Sequence, residues 1–230
     1  MKATWSAAAD FLEKRLGLPP ATWPRALPYL VVVVLTALQG KFGEGSAYWI
    51  YLFKTLIGAG LVCWAWRRAP ELRPAWSWAG VLVGTIVFAL WVGLDPWYPK
   101  LAENSGGWNP FAVYGQSALA WFFAGVRILG SALVIPFIEE PFFRSFLYRF
   151  LQKEQFEKVA LQEWSWTAFL AASAIFGLAH REWLAGILCG AAYQALVCRK
   201  GRLGDAILAH GATNLLLGLW VVREGAWQFW

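Results

Sequence analysis

Glu139 and Glu140 stand side by side in an apolar run, Val134-Ile-Pro-Phe-Ile-Glu-Glu-Pro-Phe-Phe-Arg-Ser-Phe-Leu147, with Arg144 four residues after the second carboxylate. Each ionisable side chain held in hydrocarbon costs about 2.5–3.5 kcal/mol on insertion scales. Three of them within six residues must therefore face a protein-lined or water-filled site. The chain's only two histidines, His180 and His210, also lie in apolar stretches. A lone histidine on an apolar face is usually a satisfied core residue, but two of them in spans that accompany an acidic pair favour a site.

Spacing separates the candidates by role. His210 and Asn214 are four residues apart, which on a helix puts them on one face, with Gly211 leaving room beside them. Glu140 and Arg144 have the same spacing and suit an intrahelical ion pair. Glu139 lies about 100° further round, so it need not share that arginine and is free to act as a general base. The alternative is that both carboxylates merely tie helices together through Arg127 and Arg144. Pro136 and Pro141 flank the pair, and each removes a backbone donor; a kink or break there would open space for water and substrate.

These groups need elements that bring them to one depth. Apolar runs long enough to cross, or nearly cross, a core of about 30 Å fall at 26–42, 46–66, 78–94, 117–150, 164–180, 183–198 and 204–222. The expected fold is an all-α polytopic membrane protein of about seven transmembrane helices, or eight if the fourth run splits at Pro136, with a polar cavity inside the membrane. One integral membrane domain spans 1–230. Fourteen residues separate Glu139 from Lys153, about 21 Å of helix. His180 lies a similar distance from Trp164 and Trp166, and His210 and Asn214 follow their basic loop by a comparable rise. Segments five and six are short and joined by His180-Arg181-Glu182, a hairpin that is tolerable inside a bilayer only if protein covers it. Residues 95–115, rich in Pro, Gly and Asn, read as the one long loop, and residues 4–16 as a short interfacial amphipathic helix with no cleavable signal peptide.

Composition agrees. The chain is 59% hydrophobic and 15% charged, against roughly 25% charged in a soluble domain. Lys2, Lys14, Arg15, Arg25, Arg67, Arg68, Arg73, Arg149, Lys153, Lys158, Arg199, Lys200 and Arg202 collect on one side of the predicted spans. Only Lys41, Lys100, Arg181 and Arg223 fall on the other. The positive-inside rule then places the N-terminus in the cytoplasm and the C-terminus outside. The net charge of +6 reflects those loops, and nucleic acid is not an expected partner. Lys54 and Arg127 remain inside spans, to snorkel or to pair with a neighbouring helix; Arg127 is also a candidate counter-charge for the acidic site. Cys63, Cys189 and Cys198 read as buried small hydrophobes, and most of the seventeen tryptophans as interfacial anchors.

Glu139-Glu140-Pro-Phe-Phe-Arg144, Phe176-Gly-Leu-Ala-His180 and His210-Gly-Ala-Thr-Asn214 resemble, in order, the three motifs of the CAAX prenyl endopeptidase-like (CPBP, or Abi) intramembrane protease family. The resemblance covers roughly residues 118–222 and is nearest to prokaryotic CAAX-protease-related members, some of them associated with surface-protein sorting. Ser145 stands where the family often has Gly, and Pro141 is less usual. The resemblance implies hydrolysis of a peptide bond in a membrane-associated protein or peptide, C-terminally lipidated or carrying a sorting signal. It also implies a multi-pass protein of a prokaryotic inner membrane. Carried over, Glu139 with His180 activates the water, His210 and Asn214 stabilise the oxyanion, and Glu140 with Arg144 holds the site in shape. Glu139, His180 and His210 are also candidate ligands for zinc, which would leave an open water position; the sequence has no His-Glu-x-x-His pair, and the metal question stays open. Two other classes fit the same polar residues, a proton-coupled transporter or relay and a catalytically silent membrane scaffold. Against the former, no repeat-related pair of broken helices is visible.

Overall fold

A computed structural model describes residues 17–43, 45–101 and 107–230; the helix expected over 4–16 lies outside the described residues. In chain order the helices are α1 (Trp23–Ala37), α2 (Ser46–Trp66), α3 (Trp78–Leu94), α4 (Pro110–Tyr114), α5 (Ala118–Leu133), α6 (Pro136–Glu140), α7 (Tyr148–Phe150), α8 (Trp166–Leu178), α9 (Trp183–Lys200) and α10 (Leu203–Glu224). There is no strand among the described residues. Serines punctuate the entries. Ser77, Ser117 and Ser165 each accept a hydrogen bond from a backbone N–H of the first turn of α3, α5 and α8, satisfying donors that have no intrahelical partner. Gly201, at φ +66°, ends α9 in a left-handed cap.

Each of the seven apolar runs is helical. Four segments are long and apolar enough to cross a membrane: Ser46–Trp66, Trp78–Trp97, Ala118–Phe150 and Leu203–Glu224. The others differ from the expectation of full spans. α8 has 13 residues, about 20 Å of helix, and α1 stops at Ala37 rather than 42. The long loop expected over 95–115 is interrupted by α4, which Asn109 caps.

The fourth run breaks at both prolines. Val134 and Ile135 both direct their N–H to the Gly130 carbonyl, ending α5, and Pro136 opens α6. Pro141 cannot donate to the Phe137 carbonyl four residues back, and the chain widens into a π-helical turn over Pro141–Leu147 that Tyr148 closes by donating to Phe143 O. Such turns recur at functional sites.

α10 is the central rod and packs on α3, α5, α6 and α9. A Cβ at Gly84 of α3 would strike the Ala209 carbonyl, and one at Gly186 of α9 would sit 2.8 Å from Gly177 Cα of α8. Ser173 and Gly177 thus face Gly186 and Gly190, the small-residue contact that lets membrane helices approach closely.

The bundle has two distinct ends. At one, Arg25 donates to Glu71 at 2.6 Å, Ser145 donates to the same carboxylate, Arg149 lies 3.7 Å from it, and Arg202 pairs with Asp205 at 2.9 Å. Burial alone would raise the Glu71 pKa; the Arg25 guanidinium and the bonds from Arg25 and Ser145 outweigh it and hold the group below its ordinary range. At the other end, Leu101 N donates to Arg181 O, Trp183 Nε1 to Pro99 O at 2.9 Å, and Arg181 to Gln228 O at 3.1 Å. The α8–α9 hairpin turn is therefore covered by residues 98–101 and by the C-terminal turn.

Cys63 corrects the sequence reading, while Lys54 and Arg127 take the second of their two expected courses and meet a neighbouring helix. Cys63 is exposed, unlike Cys189 and Cys198, because it falls on the outward face of α2. Lys54 does not snorkel; it is buried and donates to Thr36 Oγ1 on α1 at 3.1 Å. Arg127 does not snorkel either, and makes no ion pair with the acidic residues among those described. Trp76, Trp78, Trp97 and Trp166 are the most exposed tryptophans among the described residues, at or beside helix ends as anchoring requires.

Candidate active site

The break between α5 and α6 places Glu139 and Glu140 on a short helix whose two faces meet different surroundings. Glu140 is fully buried and points at α10. Its Oε2 accepts from Arg144 Nε at 3.1 Å and its Oε1 from His210 Nδ1 at 2.8 Å. Arg144 is fully buried as well, with its guanidinium 4.7 Å above the Phe176 ring. Glu139, one residue earlier, is half-buried; its Oε2 accepts no hydrogen bond from any described group.

His180 follows the last turn of α8. Its Nδ1 donates to the Phe176 carbonyl at 2.7 Å, and Trp91 of α3 meets the ring edge-on at 5.6 Å. A carbonyl can only accept, so the bond puts the hydrogen on Nδ1 and leaves Nε2 with its lone pair in the neutral ring. The Glu140 carboxylate takes the Nδ1 hydrogen of His210 in the same way. Asn214, one turn beyond His210, donates through Nδ2 to Ser131 O at 2.8 Å, which fixes the amide plane and leaves one N–H uncommitted.

These side chains converge. Glu139, His180, His210 and Asn214 all line one cavity of about 170 Å³, with Trp91, Arg127, Ser131, Cys189, Tyr193 and the C-terminal Phe229 and Trp230 among its other walls. That volume holds several water molecules. Glu140 and Arg144 are not part of the wall; they touch it through His210 and Phe176. The cavity belongs to the end of the bundle that carries Glu182 and the C-terminal turn, opposite the Arg25–Glu71 cluster.

Several participants were not singled out in the sequence. Tyr193 stacks its ring 5.5 Å from that of His210 and bonds Thr213 Oγ1 at 2.7 Å; Thr213 in turn donates to Gly84 O at 2.8 Å, tying the floor to α3. Ser131 contributes only a carbonyl, and Trp91 only an edge. No local pattern marks either, since both depend on which helix lies opposite.

Both histidines commit Nδ1 and keep Nε2, as metal-ligating imidazoles do. Among the described residues, however, no three of His, Cys, Asp and Glu are grouped closely enough to hold an ion. Glu139, His180 and His210 line the same cavity without being drawn together as a ligand set in this geometry.

No curated protein and no solved structure matches the chain. Residues 121–216, which hold all six motif side chains, match the family model described as type II CAAX prenyl endopeptidase Rce1-like.

Proposed function

We propose that this integral membrane protein is an endopeptidase that hydrolyses a peptide bond of a membrane-associated protein in the cavity described above. The observation that carries the reading is the meeting of Glu139, His180, His210 and Asn214 on one wall-lined space, with Glu140 and Arg144 bracing it from behind. Glu139 takes a proton from a water molecule that His180 Nε2 orients, and the water oxygen bonds to the substrate carbonyl carbon. The negative charge that develops on the carbonyl oxygen is met by His210 Nε2–H and the free Asn214 N–H. His210 takes part as the imidazolium from the outset, its Nδ1–H on the Glu140 carboxylate that balances its charge, and it neither gains nor loses a proton in the step. The C–N bond then breaks, and Glu139 returns its proton to the leaving amine. Donors pre-aimed at the developing charge supply the main rate term.

The N-terminus is proposed to be cytoplasmic, in a prokaryotic inner membrane, so that the cavity lies nearer the opposite face. The test uses purified protein with membrane-anchored and C-terminally lipidated peptides. Wild type should cleave, and Glu139→Gln and His180→Ala should not. Equal behaviour of all three across a wide panel would move the reading to a proton relay or a silent scaffold. Chelation followed by zinc add-back distinguishes a metal-dependent from a glutamate mechanism.

A further inference from the structure

Arg127 stands on α5 at the head of a row, Arg127, Ser131, Ile135 and Glu139, whose members are four residues apart and all line the cavity. Among the lining residues it is the only arginine or lysine. Its guanidinium lies 4.6 Å from the Tyr51 ring, 5.1 Å from the Trp108 ring and 5.8 Å from the Trp230 ring. Tyr51 also bonds the Arg127 carbonyl, at 3.3 Å. Aromatic faces hold a guanidinium in place through its flat sides and leave its N–H edge to other partners.

That edge has none among the described residues. No hydrogen bond or ion pair from the Arg127 side chain is present, although every other cation within the bundle has a polar partner: Lys54 has Thr36, Arg144 has Glu140, and Arg25 and Arg149 have Glu71. Nor are its nitrogens among the atoms sealed from solvent without a partner, as two of Arg144 are. They open on the cavity. Glu139 does not neutralise Arg127 by contact, and Lys54 is close enough to feel both groups electrostatically. A cation inside the bundle is costly without an anion, and its five N–H donors form a fork that fits a carboxylate in two parallel bonds.

We infer that Arg127 is the substrate-recognition residue of the cavity and binds a carboxylate of the peptide to be cleaved, its chain-terminal carboxylate or an acidic side chain. The inference rests on the proposed protease reading and adds a ruler to it. Twelve residues separate Arg127 from Glu139, at most about 18 Å of helix. An extended peptide covers about 3.3 Å per residue, so the bond cut lies within about five residues of the carboxylate.

The test separates binding from chemistry. Full-length Glu139→Gln protein in nanodiscs is titrated with an N-terminally fluorescein-labelled apolar octapeptide in three forms. These are a free C-terminal acid, a C-terminal amide, and an amide with Glu as the last residue. One carboxylate form should bind about tenfold or more tightly than the plain amide, and which of the two does so identifies the source. Adding Arg127→Gln should erase the preference, while Arg127→Lys should keep part of it. Equal binding of all three peptides overturns the inference, as does a preference that survives Arg127→Gln. Should Arg127→Gln fail to fold, judged by thermal unfolding, Arg127→Lys decides: an undiminished preference counts against the two-bond fork. Cleavage by the parent protein without a carboxylate preference would sink the inference alone; preference without any cleavage would leave only carboxylate binding by Arg127 and sink the protease reading.

Discussion

Glu140 Oε1 lies 2.8 Å from His210 Nδ1 across the α6–α10 contact, while Oε2 of the same carboxylate holds Arg144. One buried anion therefore joins two helices and holds the ring of a cavity histidine, while Oε2 of its neighbour Glu139 has no partner among the described residues. Removing one member of a buried ion pair strands the other and costs about 3–5 kcal/mol. Glu140→Gln should lower stability on that scale, and Glu139→Gln by less than about 1 kcal/mol while abolishing turnover. Thermal unfolding of both variants in one detergent, beside a cleavage assay, checks the split. Equal stability losses would mean that the two carboxylates do not divide their work as the hydrogen bonds indicate.

Asn214 donates to Ser131 O and keeps one N–H for the oxyanion. Loss of such a donor in other hydrolases costs about 2.7–4 kcal/mol of transition-state binding, or 10²–10³ in kcat. Asn214→Ala should reduce kcat in that range with KM nearly unchanged. Asn214→Asp, which swaps the donor for an acceptor, should be no better. A variant that changes only KM would assign Asn214 to substrate binding instead.

Much of this arrangement was legible along the chain because helix geometry is local. The i, i+4 spacing put Glu140 with Arg144 and His210 with Asn214, and the two prolines marked where the fourth span breaks. Hydrophobic run lengths located all seven helical segments, and residues 46–66 and 78–94 agree to the residue. What stayed hidden depends on neighbours across the bundle. Nothing near residue 140 in sequence announces His210, seventy positions on. Phe176 carried a motif position, but its carbonyl as the anchor of His180 follows only from the helix end. Cys63 was misread because an apolar run has no polar stripe to tell the lipid face from the core. The π-helical turn after Pro141 was readable only as a kink, since a missing donor fixes where a helix is disturbed and not how it recovers.

Glu71 provides a pH test outside the spans. Its folded-state pKa is held below the usual value of 4.5; the stability it contributes is complete above that value and is lost as pH falls through the lower folded pKa. Wild-type unfolding temperature should therefore drop below about pH 4.5. Glu71→Gln should be less stable at pH 7 and show a shallower acid limb. A parallel acid limb in the variant would mean that the Arg25–Glu71–Ser145 cluster does not drive the acid response.

Gly177 and Gly60 make a matched pair. A Cβ at Gly177 would drive into the Ile187 side chain and come 2.6 Å from the Trp183 carbonyl oxygen, whereas Gly60 of α2 has nothing within 4 Å. Overpacking typically costs about 1–3 kcal/mol. Gly177→Ala should destabilise by that much and slow cleavage, because His180 sits three residues on. Gly60→Ala should be neutral or slightly stabilising. Loss of stability in both would trace the effect to the lipid-embedded helix itself rather than to the α8–α9 contact.

The position of the cavity within the bundle makes the orientation consequential. Trp91, His180, Glu182, Phe229 and Trp230 line it at the end opposite the basic loops, so an N-inside protein would receive its substrate from the non-cytoplasmic side. Cysteine placed at Gln228 or at Lys153, each in a Cys63→Ser background, reports on this with a membrane-impermeant maleimide. Gln228→Cys should label in intact cells or right-side-out vesicles, and Lys153→Cys only after the membrane is opened. The reverse pattern would invert the topology and place the cavity mouth towards the cytoplasm, where the free carboxylate that Arg127 is proposed to hold would belong to a cytoplasmic chain.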